Sequence, residues 1–190
     1  MVAGGLEVVA VLTRPDAPLG RKRILTPSPV AVTAERLGIP VIKAAKVESE
    51  TVEQLKSFKP DLGVIVAYGA LLKAEALATP SLGWINIHYS LLPAWRGASP
   101  VQSSIWAGER ETGITIFQLD EGMDTGPVHM QIPTQIEPGE NSGSLLKRLT
   151  ALGISGLLEL VPRVAAGLSA PLAQDPVLLE SLPKARKLNR

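Results

Sequence analysis

The chain contains no cysteine, so it can form neither a disulfide framework nor a thiolate metal site. Histidine is scarce too: His88 and His129 are the two in 190 residues, and they lack the spacing of metal ligands. No serine sits in a Gly-x-Ser-x-Gly elbow, which together with the missing thiol disfavours a covalent mechanism. No run is long and apolar enough to span a bilayer, and Met1 to Glu7 lacks a basic region followed by an apolar core. Neither sign of charge dominates, the formal net charge being +1, so any argument about partners rests on where charges cluster. Internal repeats and low-complexity tracts are absent. The expectation is a soluble, cytoplasmic globular chain, long enough for one domain with a sizeable core or for one domain plus part of a second.

What is present alternates between strand and helix signals. A β-branched run at 7–13 stops at Arg14-Pro15-Asp16 and reads as a buried strand. Residues 14–25 then hold Arg14, Arg21, Lys22 and Arg23 among Pro15, Pro18 and Gly20, without periodicity. This predicts a mobile basic loop suited to a phosphate-rich partner, or a solvated surface loop. Ser28 and Pro29 look like the N-cap and first position of a helix that runs to Leu37 and stops at Gly38. Strands at 39–42 and 61–68 flank a helix at 50–58, and a helix follows at 70–78 with Leu71, Leu72 and Leu77 available for packing. Further on, 101–107 suits a helix with Val101, Ile105 and Trp106 inward, 113–119 and 128–136 suit strands, and 141–166 suits a long helix capped by Asn141 or Ser142. The order predicts an α/β fold with a mostly parallel sheet flanked by helices. From Gly167 regularity fades, and Pro171, Pro176 and Pro183 punctuate a segment ending in Lys184 to Arg190 that reads as tail or linker. The division is therefore 1–170 as the main domain and 171–190 as linker.

The stretch from Trp84 to Pro100 is the richest in chemistry. Asn86, His88 and Ser90 alternate with Ile85, Ile87 and Tyr89, so an extended backbone puts three polar side chains on one face. Sheet cores are normally apolar there, so the strand end is expected to open into a cleft. A second polar loop, Asp120 to Pro127, has two glycines that permit a tight bend, and it can bring Asp124 beside the first. An amide that hydrogen-bonds an oxyanion, an imidazole that titrates near neutrality and a carboxylate that orients it suit addition to a carbonyl, with the nucleophile supplied by a substrate. Each also has a structural alternative, and His129, without polar companions, is read as structural.

Asn86-Ile87-His88-Tyr89-Ser90-Leu91-Leu92-Pro93, Trp95-Arg96-Gly97-Ala98-Ser99-Pro100 and Asp120-Glu121-Gly122-Met123-Asp124-Thr125-Gly126 together resemble the signatures of the folate-dependent formyltransferases, in matching order and separation. Within that superfamily, Arg14-Pro15-Asp16 through Gly20-Arg21 and Leu25 to Val30 resemble the tRNA-facing loop of the methionyl-tRNA formyltransferase branch. The resemblance covers residues 6–175. It implies a Rossmann-like domain that moves formyl from 10-formyltetrahydrofolate to the α-amino group of initiator methionyl-tRNA. The implied catalytic residues are Asn86, His88 and Asp124. Ser90, Leu91, Leu92 and Pro93 are implied as folate-binding, and Arg21, Lys22 and Arg23 as tRNA-binding. No metal, membrane or DNA partner is implied, and the expected state is a monomer.

Measured against that family pattern, the chain starts at what would be the second strand, and segment 171–190 would lead toward a C-terminal barrel that this chain lacks. Tyr89 stands where glycine is common and Lys73 where proline is. Two other functions stay open: a related formyltransferase acting on a sugar-nucleotide or glycinamide ribonucleotide amine, and an incomplete, non-catalytic fragment that binds folate or RNA.

Overall fold

A computed structural model describes residues 1–69 and 72–188, which fall into two compact units. The first comprises Met1–Asp61 and Tyr68–Ser81. Its β1 (Val11–Thr13) and β4 (Val41–Lys43) pair in parallel, Val11 opposite Val41. Between them in sequence lie β2 (Ala17–Leu19), β3 (Ile24–Thr26) and α1 (Pro29–Arg36). Ser28 caps α1 as expected, accepting the Ala31 N–H at 3.0 Å. Its hydroxyl also lies 2.8 Å from that of Thr13, so two buried polar groups satisfy each other. The other α-helices among this unit's described residues are α2 (Ser49–Ser57) and α3 (Ala74–Leu77); Ala70 and Leu71, expected to begin the latter, lie outside the described residues.

The basic loop has more structure than expected. β2 and β3 form an antiparallel hairpin, Ala17 opposite Thr26, whose turn is made possible by Gly20 at φ 69°. Arg21, Lys22 and Arg23 are exposed at its tip, and Leu19, Ile24 and Leu25 beside them are 63–68% exposed. Pairing of two three-residue strands, the first interrupted by Pro18, leaves no periodic signal, which is why the sequence read as loop.

The second unit comprises Leu62–Ala67 and Leu82–Arg190. Its sheet runs β5 (Gly63–Val66), β6 (Trp84–His88), β8 (Glu111–Gln118), β9 (Val128–Gln135). β5 and β6 are parallel, as the α/β expectation requires, and β8 and β9 add antiparallel strands beyond them. The 24-residue helix α5 (Ser142–Ala165) covers one face, starting from an Asn141 capping box. Ile85, Ile87, Ile114, Ile116, Leu145 and Leu149 form the core between them, and truncating a fully buried member such as Leu149 to Ala costs about 2–5 kcal/mol. Gly153 and Gly156 let the helix settle close to the sheet: a Cβ on either would come 3.1–3.2 Å from Ile87, Ile116 or Ile132.

Two sequence expectations are corrected here. In α4 (Pro100–Trp106) the inward stripe is Pro100, Val101 and Ser104, so Trp106 falls on the far side of the helix and is 81% exposed. The segment after Gly167 is ordered: Leu172 bridges Val128, α6 (Pro176–Ser181) follows, and β10 (Lys184–Ala185) pairs with β7 (Arg96–Gly97). Those contacts are long-range, so local sequence pattern could not reveal them. Asn189 and Arg190, the end of the expected tail, lie outside the described residues.

Candidate active site

The second unit holds the three residues singled out for chemistry. Asn86 and His88 stand two apart on β6 and share a face, while Ile85 and Ile87 point into the core under α5. Asn86 Oδ1 is buried and has no hydrogen-bond partner. A buried amide oxygen without a partner is uncommon in folded proteins and leaves hydrogen-bonding capacity open to a ligand.

His88 is 5% exposed. Its Nε2 lies 2.8 Å from the Trp95 carbonyl oxygen, which can accept but not donate, so the neutral imidazole carries its proton on Nε2. That leaves Nδ1 facing Asp124 Oδ2 at 3.7 Å. The same oxygen accepts the Gly97 N–H at 2.8 Å. Asp124 itself sits at φ 55°, a left-handed conformation uncommon for residues other than glycine. Burial pushes the His88 pKa below its usual 6.5, against an opposite pull from the Asp124 charge and the Trp95 carbonyl.

The expected folate residues turn partly inward. Ser90 is fully buried and its Oγ donates to the Ala94 carbonyl at 2.6 Å; Leu92 is 5% exposed. Leu91 and Pro93 are half-buried. The strand ends at His88, so Ser90 belongs to the loop rather than to the polar face of β6. Arg21, Lys22 and Arg23 belong to the other unit.

Sequence reasoning missed the residues that hold this loop. Thr115, opposite His88 on β8, donates its hydroxyl to the Ser90 carbonyl at 2.7 Å and accepts the Leu92 N–H at 3.0 Å. Gln131 on β9 donates to the Leu92 carbonyl at 2.7 Å. The polar Thr115 between Ile114 and Ile116 was the available signal for it. Gln174, in an irregular segment, carried none, although its side chain reaches the Asp124 loop. His129, expected to lack polar companions, has two: its ring nitrogens lie 2.8 Å from Ser169 Oγ and 3.0 Å from Gln118 Oε1. Among the described residues no group of three His, Cys, Asp or Glu is placed to hold a metal ion, and no helix is long and apolar enough to cross a membrane.

Comparison with known proteins places the chain in a family. A family model described as formyl transferase matches residues 3–161. The methionyl-tRNA formyltransferase of Paenarthrobacter aurescens (strain TC1) is 51% identical over 174 residues, covering 92% of this chain and 57% of that protein. The chain thus spans little more than half the length of the curated relatives it matches. Among solved structures, phosphoribosylglycinamide formyltransferase from Bacillus halodurans is similar at TM-score 0.66 and 29% identity, over 85% of this chain and 80% of that one. Glycinamide ribonucleotide transformylase 1 from Geobacillus kaustophilus is similar at TM-score 0.61 and 34% identity, over 74% of this chain and 77% of that one. The match over most of its length shows that the chain belongs to the formyl transferase family.

Proposed function

We propose that the chain transfers the formyl group of 10-formyltetrahydrofolate to the α-amino group of methionine on initiator tRNA, in the cytoplasm. The observation that carries this is the convergence of three groups: Asn86 and His88 two apart on one face of β6, and Asp124 Oδ2 at 3.7 Å from the imidazole. The acceptor assignment is supported by the 51% identity to a methionyl-tRNA formyltransferase and by the exposed basic tip of the β2–β3 hairpin.

In the reaction the amine nitrogen attacks the formyl carbon, the bond from that carbon to folate N10 breaks, and the proton lost by the amine ends on N10. Asn86 turns its amide N–H toward the formyl oxygen as negative charge grows there. His88 is mostly neutral before reaction because it is buried, and the developing oxyanion raises its affinity for a proton, so the imidazole charges when the charge is useful. Asp124, facing Nδ1, relays the amine proton to the imidazole directly or through water, and the imidazolium gives it up to folate N10 as the bond from the formyl carbon to N10 breaks. Ser90 to Pro93 border the formyl donor, and Arg21, Lys22 and Arg23 engage tRNA phosphates. Holding both substrates in register supplies much of the rate.

The test is a formyl-transfer assay with the purified chain, 10-formyltetrahydrofolate and either initiator methionyl-tRNA or glycinamide ribonucleotide. Formyl-methionyl-tRNA without formylated nucleotide is expected. The reverse would overturn the acceptor, and donor binding without transfer to either would identify a non-catalytic binding fragment.

A further inference from the structure

The segment after α5 closes back onto the catalytic loop through contacts that neither the family signatures nor the proposed chemistry require. Leu172 and Val128 exchange two backbone hydrogen bonds, at 2.7 and 2.8 Å, next to the end of that loop. Two residues later, Gln174 is 8% exposed, and its amide nitrogen donates to the Asp124 carbonyl at 3.0 Å and the Gly126 carbonyl at 2.8 Å. An amide NH2 has two hydrogens, and both are spent on one turn. Beyond it, the buried Arg96 guanidinium donates to the Leu179 carbonyl. The Trp95 N–H donates to the Pro183 carbonyl at 2.8 Å, and Ala185 pairs with Gly97. Trp95 and Gly97 are the residues whose backbone carbonyl and N–H hold His88 and Asp124.

Asp124 needs such support. Its left-handed backbone is not a conformation the residue prefers, and its carboxylate contacts an N–H on a separate strand. Gly126 is pressed against the sheet so closely that a Cβ there would lie 1.8 Å from the Gln118 carbonyl oxygen. The turn therefore has a fixed foot at Gly126, and Gln174 ties the Asp124 peptide to it.

We propose that Gln174 is a positioning residue for the Asp124 carboxylate, tying the 124–126 turn so that Oδ2 stays on the Gly97 N–H and faces His88. The proposal rests on the assignment of His88 and Asp124 to formyl transfer. It makes the segment 172–185 part of the active-site framework.

The test uses the intact chain with Gln174→Met, which keeps length and burial but has no donor, read by steady-state kinetics and by NMR titration of the His88 ring. Misplacing a catalytic group by about 1 Å costs on the order of 10²-fold, so kcat is expected to fall about 10- to 100-fold with the KM for the formyl donor within about twofold. The His88 titration should move to lower pH as its carboxylate partner swings away. In an Asp124→Asn background Gln174→Met should cost nothing further in kcat. Gln174→Asn, one methylene short of spanning both carbonyls, should fall between the parent and Gln174→Met in both readouts. An equal kcat loss in both backgrounds, or an unmoved His88 titration, overturns the proposal. If the parent transfers no formyl to any acceptor, the functional assignment fails while the titration still decides whether Gln174 holds Asp124.

Discussion

Asp124 Oδ2 stands between the Gly97 N–H at 2.8 Å and His88 Nδ1 at 3.7 Å, so one carboxylate oxygen is anchored by backbone and aimed at the imidazole. The anchoring bond exists whether or not His88 is charged. The second contact tightens only when Nδ1 gains a proton, which is the arrangement expected of a group that stabilises a transient imidazolium.

Substitutions in the three residues should therefore show a pattern rather than a uniform loss. Asn86→Ala removes an oxyanion donor, and kcat should fall by about 10²–10³. Asp124→Asn keeps the shape but removes the charge that favours imidazolium, for a loss of roughly 10²–10⁴. His88→Ala combined with Asp124→Asn should be little worse than the poorer single change, because the two act as a unit. The measurement is single-turnover formyl transfer with saturating acceptor. Near-full turnover in Asp124→Asn would make the carboxylate structural.

Stability should depend on pH through the same imidazole. The folded state holds His88 below its usual 6.5, so it binds a proton less readily than the unfolded chain does, and protonation favours unfolding. The contribution is complete above about pH 6.5, declines as pH falls below that value, and levels off once pH is below the folded pKa. His129 is shifted in the same direction by burial and adds to the slope. Urea midpoints measured from pH 7.5 to 5 should fall with pH in the parent and fall less in His88→Gln. An identical slope in the two proteins would show that His88 is not held neutral.

The hairpin makes a prediction that is independent of the catalytic residues. Arg21, Lys22 and Arg23 are exposed at its tip, and each cation that meets a phosphate releases a counterion. Arg21→Ala should weaken tRNA binding at low salt and reduce the slope of log affinity against log salt by about one. Binding of the formyl donor should stay as in the parent. An unchanged slope would remove Arg21 from the tRNA contact.

Much of this protein was legible from residue order. Ser28 before Pro29, the alternation at Ile85 to His88, and the apolar stripe along the 24-residue α5 are short-range patterns, and a backbone of known period converts each directly into a cap, a face or a helix. The identity of the chemical side chains was local in the same way, since Asn86 and His88 need one strand and Asp124 needs one Gly-containing turn. The β2–β3 hairpin and the exposure of Trp106 were not legible. The first rests on pairing between two three-residue strands too short to show a period, and the second on a helix face chosen by what lies beneath Val101 and Ser104. Nor could sequence show that Thr115 and Gln131 hold the 90–92 loop, or that Gln174 and Ala185 return to the Asp124–Gly97 contact from 50 and 88 residues away. Sequence by itself determined which groups could perform the chemistry, because that depends on residue type and local period. Only tertiary structure decided how those groups are held, because a hydrogen bond between distant segments leaves no trace in the spacing of either one.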